Sequence, residues 1–383
     1  MGTKRGLLEQ HIAVFGESGS GKTVLLSSFY GGAQEPSFRE ESLFGIVADD
    51  SGQGTRLHQN YLGMRDAARR PSTTRFSSTS YAFSLRRRDK PSAVAKKRKP
   101  SGDLRLVWHD YPGDWFSEEP SSAEEAERRV ETFRSLLTSD VALMLVDGQR
   151  LAENVGEEER YLKALFTNVR NGISKLEDDL LSGRKPFARF PRIWIVALSK
   201  ADLLPDLNVV QFRDLVIGKA GGELSDLRLV LQGLIQMPEA LSIGEDFVLL
   251  SSAKFQPQRI RLDERVGLDL VLPIAAVLPF MRHERWARGL EKGGEVATIL
   301  SRRANDFAAF IGGRSNLPGP FGAVVNMLAQ PAAEIAAKLA AETVDELHRS
   351  AVARRDFMTA VLTGLKMDLD RGERERILMQ SLR

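Results

Sequence analysis

The chain has 383 residues, 42% of them hydrophobic and 27% charged, and no cysteine. That balance excludes a wholly disordered chain and gives enough core for one large domain or two ordinary ones, while the missing thiols exclude disulfides, thiolate metal sites and a cysteine nucleophile. The formal charge of +3 is uneven: residues 86–100 hold eight basic side chains and one acid, +7, which leaves −4 for the rest and makes a general nucleic-acid-binding surface unexpected.

In chain order, HIAVF (11–15) reads as a short buried strand. GESGSGKT (16–23) follows it, and VLLSSFYG then has helical character. Residues 31–75 are polar and mixed and read as a long, partly helical connection ending in RPSTTRF. YAFSL (81–85) and LRLVWHD (104–110) are strand candidates with the basic segment 86–100 as the tip of a long hairpin between them. A helix over 121–138, the strand VALMLVD (141–147), a charged amphipathic helical stretch over 151–182 and the strand IWIVALSK (193–200) come next. Helices over 209–236 and a last strand, DFVLLSSA (246–253), complete the series. Alternating β and α with apolar strands predicts an α/β fold, a mostly parallel sheet covered on both faces. After about residue 257 no strand is expected. The helix-rich stretches 264–312 and 331–382, joined by GGRSNLPGPFG (312–322), form either a small helical domain or helices docked on the sheet. The expected division is therefore 1–256 and 257–383.

Gly16-Glu17-Ser18-Gly19-Ser20-Gly21-Lys22-Thr23 matches G-x-x-x-x-G-K-[ST] between a strand and a helix, the context a phosphate loop requires. The backbone N–H groups from Gly16 through Ser18, Gly19, Ser20 and Gly21 would cradle a phosphate. Lys22 would lie between the β- and γ-phosphates and Thr23 would place its hydroxyl on Mg²⁺. Asp110-Tyr111-Pro112-Gly113 closes a strand as D-x-x-G, with Asp110 reaching Mg²⁺ through water and the Gly113 N–H facing the γ-phosphate. Ser199-Lys200-Ala201-Asp202 closes another. A carboxylate at Asp202 can accept from both the ring N–H and the 2-amino group of guanine, a donor pair adenine lacks. Ser199 stands where Asn or Thr is usual. Ser252-Ala253-Lys254, after Ser251, offers the Ala253 N–H to guanine O6. In RPSTTRF, Thr74, with Thr73 next, is the candidate for Mg²⁺ and γ-phosphate; Thr55 is a poorer choice because a helical stretch separates it from the strand.

In this order GESGSGKT, PSTTRF, DYPG, SKAD and SSAK resemble the successive guanine-nucleotide motifs of the TRAFAC-class GTPases. HDYPGDWF is similar to the DYPG-x-W segment of the bacterial YcjX-like proteins and their double-GTPase relatives, and Tyr61–Met64 is similar to their Y-x-x-L element, with Met in the last place. The resemblance covers residues 11–256. It implies a Ras-like three-layer fold, bound GTP or GDP, Mg²⁺ dependence and a switching cycle read out by a protein partner or a second copy, through the switch regions or the C-terminal helices. Besides Ser199, it departs at two places. Asp114 replaces the Gln that orients water in many hydrolytic members, and the Asn of potassium-stimulated members would fall at Gly19. Slow hydrolysis is therefore expected, with Arg75 one guess for an internal arginine. Two alternatives stay open: a scaffold that holds nucleotide without turnover, and a P-loop ATPase or kinase.

Trp108 is expected in the core, Trp115 either over the switch or in packing, and the His109 side chain opposite that of Asp110. The basic loop at 86–100 lacks interleaved aromatics and reads as solvated, with anionic membrane contact as its alternative. No run of 18 apolar residues and no signal-peptide-like start is present, so a cytoplasmic protein without a transmembrane helix is expected. The Ala-rich stretch 321–344 reads as core or partner-helix packing.

Overall fold

The computed structural model describes residues 8–71, 79–87, 104–116, 119–181, 186–256, 259–289 and 345–381. Its elements are β1 (Leu8–Phe15), α1 (Lys22–Gly32), α2 (Pro36–Glu41), β2 (Phe44–Ala48), α3 (Ser51–Ala67), β3 (Thr79–Arg87) and β4 (Leu104–Asp110). After a 3₁₀ turn (Gly113–Phe116) come α4 (Ala123–Leu136), β5 (Val141–Asp147), α5 (Gly148–Glu153), α6 (Glu158–Lys175), α7 (Glu177–Leu181), β6 (Ile193–Ser199) and α8 (Val209–Gly233). Then follow β7 (Ser242–Leu249), β8 (Lys254–Gln256), β9 (Arg259–Arg261), α9 (Val271–Ala276), α10 (Leu278–Gly289), the C-terminal helix α11 (Asp345–Arg374) and β10 (Leu378–Met379).

The sheet order is β10-β7-β6-β5-β1-β4-β3-β2. From β7 to β4 the pairs are parallel; β3, β2 and β10 are antiparallel. The strands of the parallel part alternate between two apolar clusters. Ile12, Val14, Leu143, Leu145 and Ile195 face α1, α9 and α11. Ala13, Phe15, Met144, Val146 and Trp194 face α4, α6 and α8. A sheet buried on both faces explains why these strands read as near-continuous apolar runs. Helix starts are set locally. Asp50, Ser122 and Asn208 each accept a backbone N–H of the first turn through the side chain, and Asn208 closes a reciprocal capping box with Gln211.

Three features differ from the expectation. The connection 31–75 contains a strand, β2, on the sheet edge. It is short, and only Phe44 and Ile46 alternate into the core, so its period was too brief to stand out. The last strand is β10, not β7: Leu378 and Met379 pair with Val248 and Phe247. Between them, β8 and β9 form a hairpin of three residues a side. Strands that short are set by what they pack on and carry little pattern of their own. The residues 88–103, 290–344 and Thr73, Thr74 and Arg75 lie outside the described residues. Among the described residues no helix is long and apolar enough to cross a membrane.

Candidate functional site

The parallel strands β1, β4, β5, β6 and β7 end at one edge of the sheet. β1 lies between β4 and β5, so the loop after it opens where the chain order reverses, the place ligands occupy in open α/β sheets. Residues 16–21 form that loop. Gly19 and Gly21 have φ of +81° and +94°, values a side chain strains to adopt. The turn ends at the start of α1, so its N–H groups and the helix's positive end converge.

Lys22 is 8% exposed. Its Nζ donates to the carbonyls of Gly16 (2.7 Å) and Glu17 (3.1 Å) and lies 5.2 Å from the centre of the Tyr111 ring. Burial lowers its pKa to about 8, against the pull of Asp110, Asp114 and Glu17. A cation so buried, among neutral carbonyls and beside upturned N–H groups, fits a bound polyphosphate. Asp110 is buried and accepts the Tyr111 N–H at 3.0 Å. The Tyr111 hydroxyl accepts the Gly16 N–H (2.9 Å) and lies 3.3 Å from the Gly16 carbonyl, to which it donates. The D-x-x-G strand is thereby bonded to the first residue of the phosphate loop. Gly113 sits still closer. A Cβ there would stand 2.3 Å from the Ser18 nitrogen and 2.8 Å from the Glu17 oxygen. Asp114 follows in the 3₁₀ turn, close enough to Lys22 to act on its charge.

The end of the site expected to take the base rests on two strand ends held in register, Asp147 opposite Ser199. Ser199 is buried and its hydroxyl donates to the Val146 carbonyl at 3.1 Å, so it braces the two strand ends. Lys200 has a left-handed backbone (φ 52°), and its Nζ bonds Asp147 Oδ2 at 2.8 Å and Gln149 Oε1 at 3.2 Å. Asp202 Oδ1 accepts from the Ser251 hydroxyl at 2.6 Å, which fixes the carboxylate against the Ser251–Ala253 turn. Ala253 is fully buried, whereas Lys254 points outward to Glu264 at 3.3 Å.

Ser18, Gly19 and Gly21 of the phosphate loop and Lys200, Asp202 and Ser252 of the strand-end turns line one cavity of about 580 Å³, whereas Lys22, Asp110, Gly113 and Asp114 do not line it. Sequence reasoning missed Asp147, Gln149, Arg150, Arg70 and Phe255, which also line it. Arg150 pairs with Glu17 at 2.8 Å. The Asp-Gly that closes the apolar strand VALMLVD was the available signal for the first of these: a carboxylate at the end of a buried strand needs a reason. Trp108 is fully buried; Trp115 packs under the Arg129 guanidinium (5.5 Å). His109 points away from Asp110, its ring bonded to those of His11 (3.0 Å) and the Ser80 hydroxyl (2.9 Å).

The family description Double-GTPase 2 matches residues 10–215. The chain belongs to the Double-GTPase 2 family. The match takes in the phosphate loop, D-x-x-G and SKAD of this Double-GTPase 2 chain and stops before SSAK. No curated protein sequence matches it. Among solved structures, the S. cerevisiae Ski7 GTPase-like domain bound to GTP is similar at 16% identity and a TM-score of 0.29, over 64% of this chain and 43% of that one. The same domain bound to GDP and inorganic phosphate gives 15% and 0.28, over 64% and 44%. Methanosarcina barkeri Roco2 RocCORdC bound to GDP gives 13% and 0.25, over 86% and 78%. The chain thus spans less than half the length of the Ski7 structures, and the fold rests on its own topology.

Proposed function

We propose that this chain binds guanine nucleotide with Mg²⁺ and hydrolyses GTP slowly, as a switch read by a partner. The observation that carries the proposal is the single cavity joining the phosphate loop to Asp202 and the Ser251–Ala253 turn. In this reading the N–H groups from Ser18 to Gly21 and Lys22 bind the phosphates, while the Gly16 N–H, expected to join them, is taken by the Tyr111 hydroxyl. Asp202 accepts from the guanine ring N–H and amino group, and the Ala253 N–H donates to O6. Thr23, Asp110 and Thr74 are the residues that would hold Mg²⁺. Among the described residues no group of three or more His, Cys, Asp or Glu could hold a metal. A hydroxyl and one carboxylate beside phosphate suit the hard, water-retaining Mg²⁺, which when bound would neutralise charge on the phosphate oxygens.

Gly113, which packs on the phosphate loop, and Asp110 would sense a γ-phosphate in this reading. Asp114 can accept a hydrogen bond from water, but it is shorter than Gln and carries charge toward the phosphate, which supports slow turnover. The readout assigned to a protein partner or a second copy belongs to the same proposal; 86–100 is read as solvated, with anionic membrane contact as its alternative. The test is multiple-turnover phosphate release from GTP with Mg²⁺. Slow release abolished by Lys22→Ala is expected. Release that survives Lys22→Ala would overturn the assignment. Asp114 also favours a second reading, a scaffold that holds nucleotide without turnover; absence of any release from a GDP-binding protein would favour it.

A further inference from the structure

One wall of the nucleotide cavity comes from neither the phosphate motifs nor the base motifs. Arg70 and Phe255 line it, alongside Lys200, Asp202 and Ser252. The Arg70 guanidinium carbon lies 5.4 Å from the centre of the Phe255 ring. Phe255 is on β8, directly after the turn that presents Ala253. Arg70 arrives from the opposite direction in sequence. Helix α3 is capped by Ala68, whose left-handed backbone (φ 48°) returns the Arg69 N–H to the Gly63 carbonyl at 2.9 Å and turns the chain toward the hairpin. The two segments are fastened together below the pair. Tyr61 and Met64 of α3 share a small apolar cluster with Ala253, Ile260 and Leu262. Among the described residues no carboxylate pairs with Arg70; its partner is the ring.

A guanidinium is planar, weakly hydrated and holds its charge at any working pH, so stacked on an aromatic ring it presents both a flat face and donors. At the end of the cavity that holds Asp202, those are the features that grip a purine nucleoside. From these observations, and resting on the guanine-nucleotide reading above, we infer that Arg70 on Phe255 closes the base–ribose end of the site and sets how long a purine nucleotide stays. Release of nucleotide then requires Arg70 and Phe255 to part.

The experiment compares dissociation of tritiated GDP from the full chain and from Arg70→Ala, Phe255→Ala and Arg70→Lys, with thermal melts of the nucleotide-free variants as a folding control. Both alanine variants are expected to release GDP about tenfold faster. Arg70→Lys keeps the charge but loses the plane, and it too is expected to release faster. Competition by inorganic pyrophosphate, which reports the phosphate end alone, is expected to stay at the wild-type level in all three. Variants that release GDP at the wild-type rate would overturn the inference, as would a parallel loss of pyrophosphate affinity. A wild-type chain that binds pyrophosphate but not GDP overturns the guanine reading first, an outcome distinct from either of these.

Discussion

Tyr111 does at the residue scale what sequence motifs do not record. D-x-x-G leaves its second position open, yet here that side chain bonds both backbone groups of Gly16 and lays its ring beneath the Lys22 ammonium, among Phe15 and Phe133. Tyr111→Phe keeps the packing and strands a buried N–H. A loss of about 1–3 kcal/mol in urea unfolding is expected, against almost none for an exposed tyrosine. An unfolding free energy equal to wild type would show that Gly16 has another partner. Motif residues such as Lys22, Asp110 and Asp202 were legible because each closes or follows an apolar strand. Their supports were not: Asp147 reaches Lys200, and Tyr111 reaches Gly16, only because strand pairing brings distant segments into register.

At the scale of elements, legibility followed length. Strands buried on both faces announced themselves as apolar runs, and the alternation of strand and helix announced a mostly parallel sheet. β2, β8, β9 and β10 are two to five residues long, and their place depends on neighbours that no local pattern names. The loop elements of the site are fixed by close approach instead. The D-x-x-G turn rests on the phosphate loop with no room for a methyl group at Gly113, so Gly113→Ala must lift the turn or shift the loop. GTP hydrolysis in that variant is expected to fall by about 10²-fold, measured as single-turnover phosphate release, while GDP binding is retained. Unchanged hydrolysis would mean that the turn moves away from the loop before chemistry.

Across the whole molecule, the chain's last residues return to the nucleotide-binding sheet. β10 pairs with β7, and the buried Asp246 of β7 takes the Arg282 guanidinium from α10 and the Ser381 N–H. α10 also buries His283 near Arg192, and burial first, then that charge, lowers its pKa to about 3. The unfolded state therefore binds the extra proton between about pH 6.5 and 3, so stability rises with pH through that window and is lost as pH falls from 6.5. From this group alone the protein is expected to be about 2 kcal/mol less stable at pH 5 than at pH 8. Denaturant unfolding of His283→Gln should show that much less acid sensitivity, and an unchanged difference between the two pH values would contradict the assignment. At the carboxyl ends of the parallel strands, phosphate loop and base turn line one cavity, the proposed guanine-nucleotide site. It is tested most directly by calorimetric titration of the nucleotide-free chain with GDP and with ADP in Mg²⁺, repeated on Asp202→Ala. Tight GDP binding with little ADP binding, and loss of that preference in a variant that still folds, is the predicted result. ADP bound as well as GDP by the wild-type chain would make Asp202 an ordinary turn residue and contradict the guanine site.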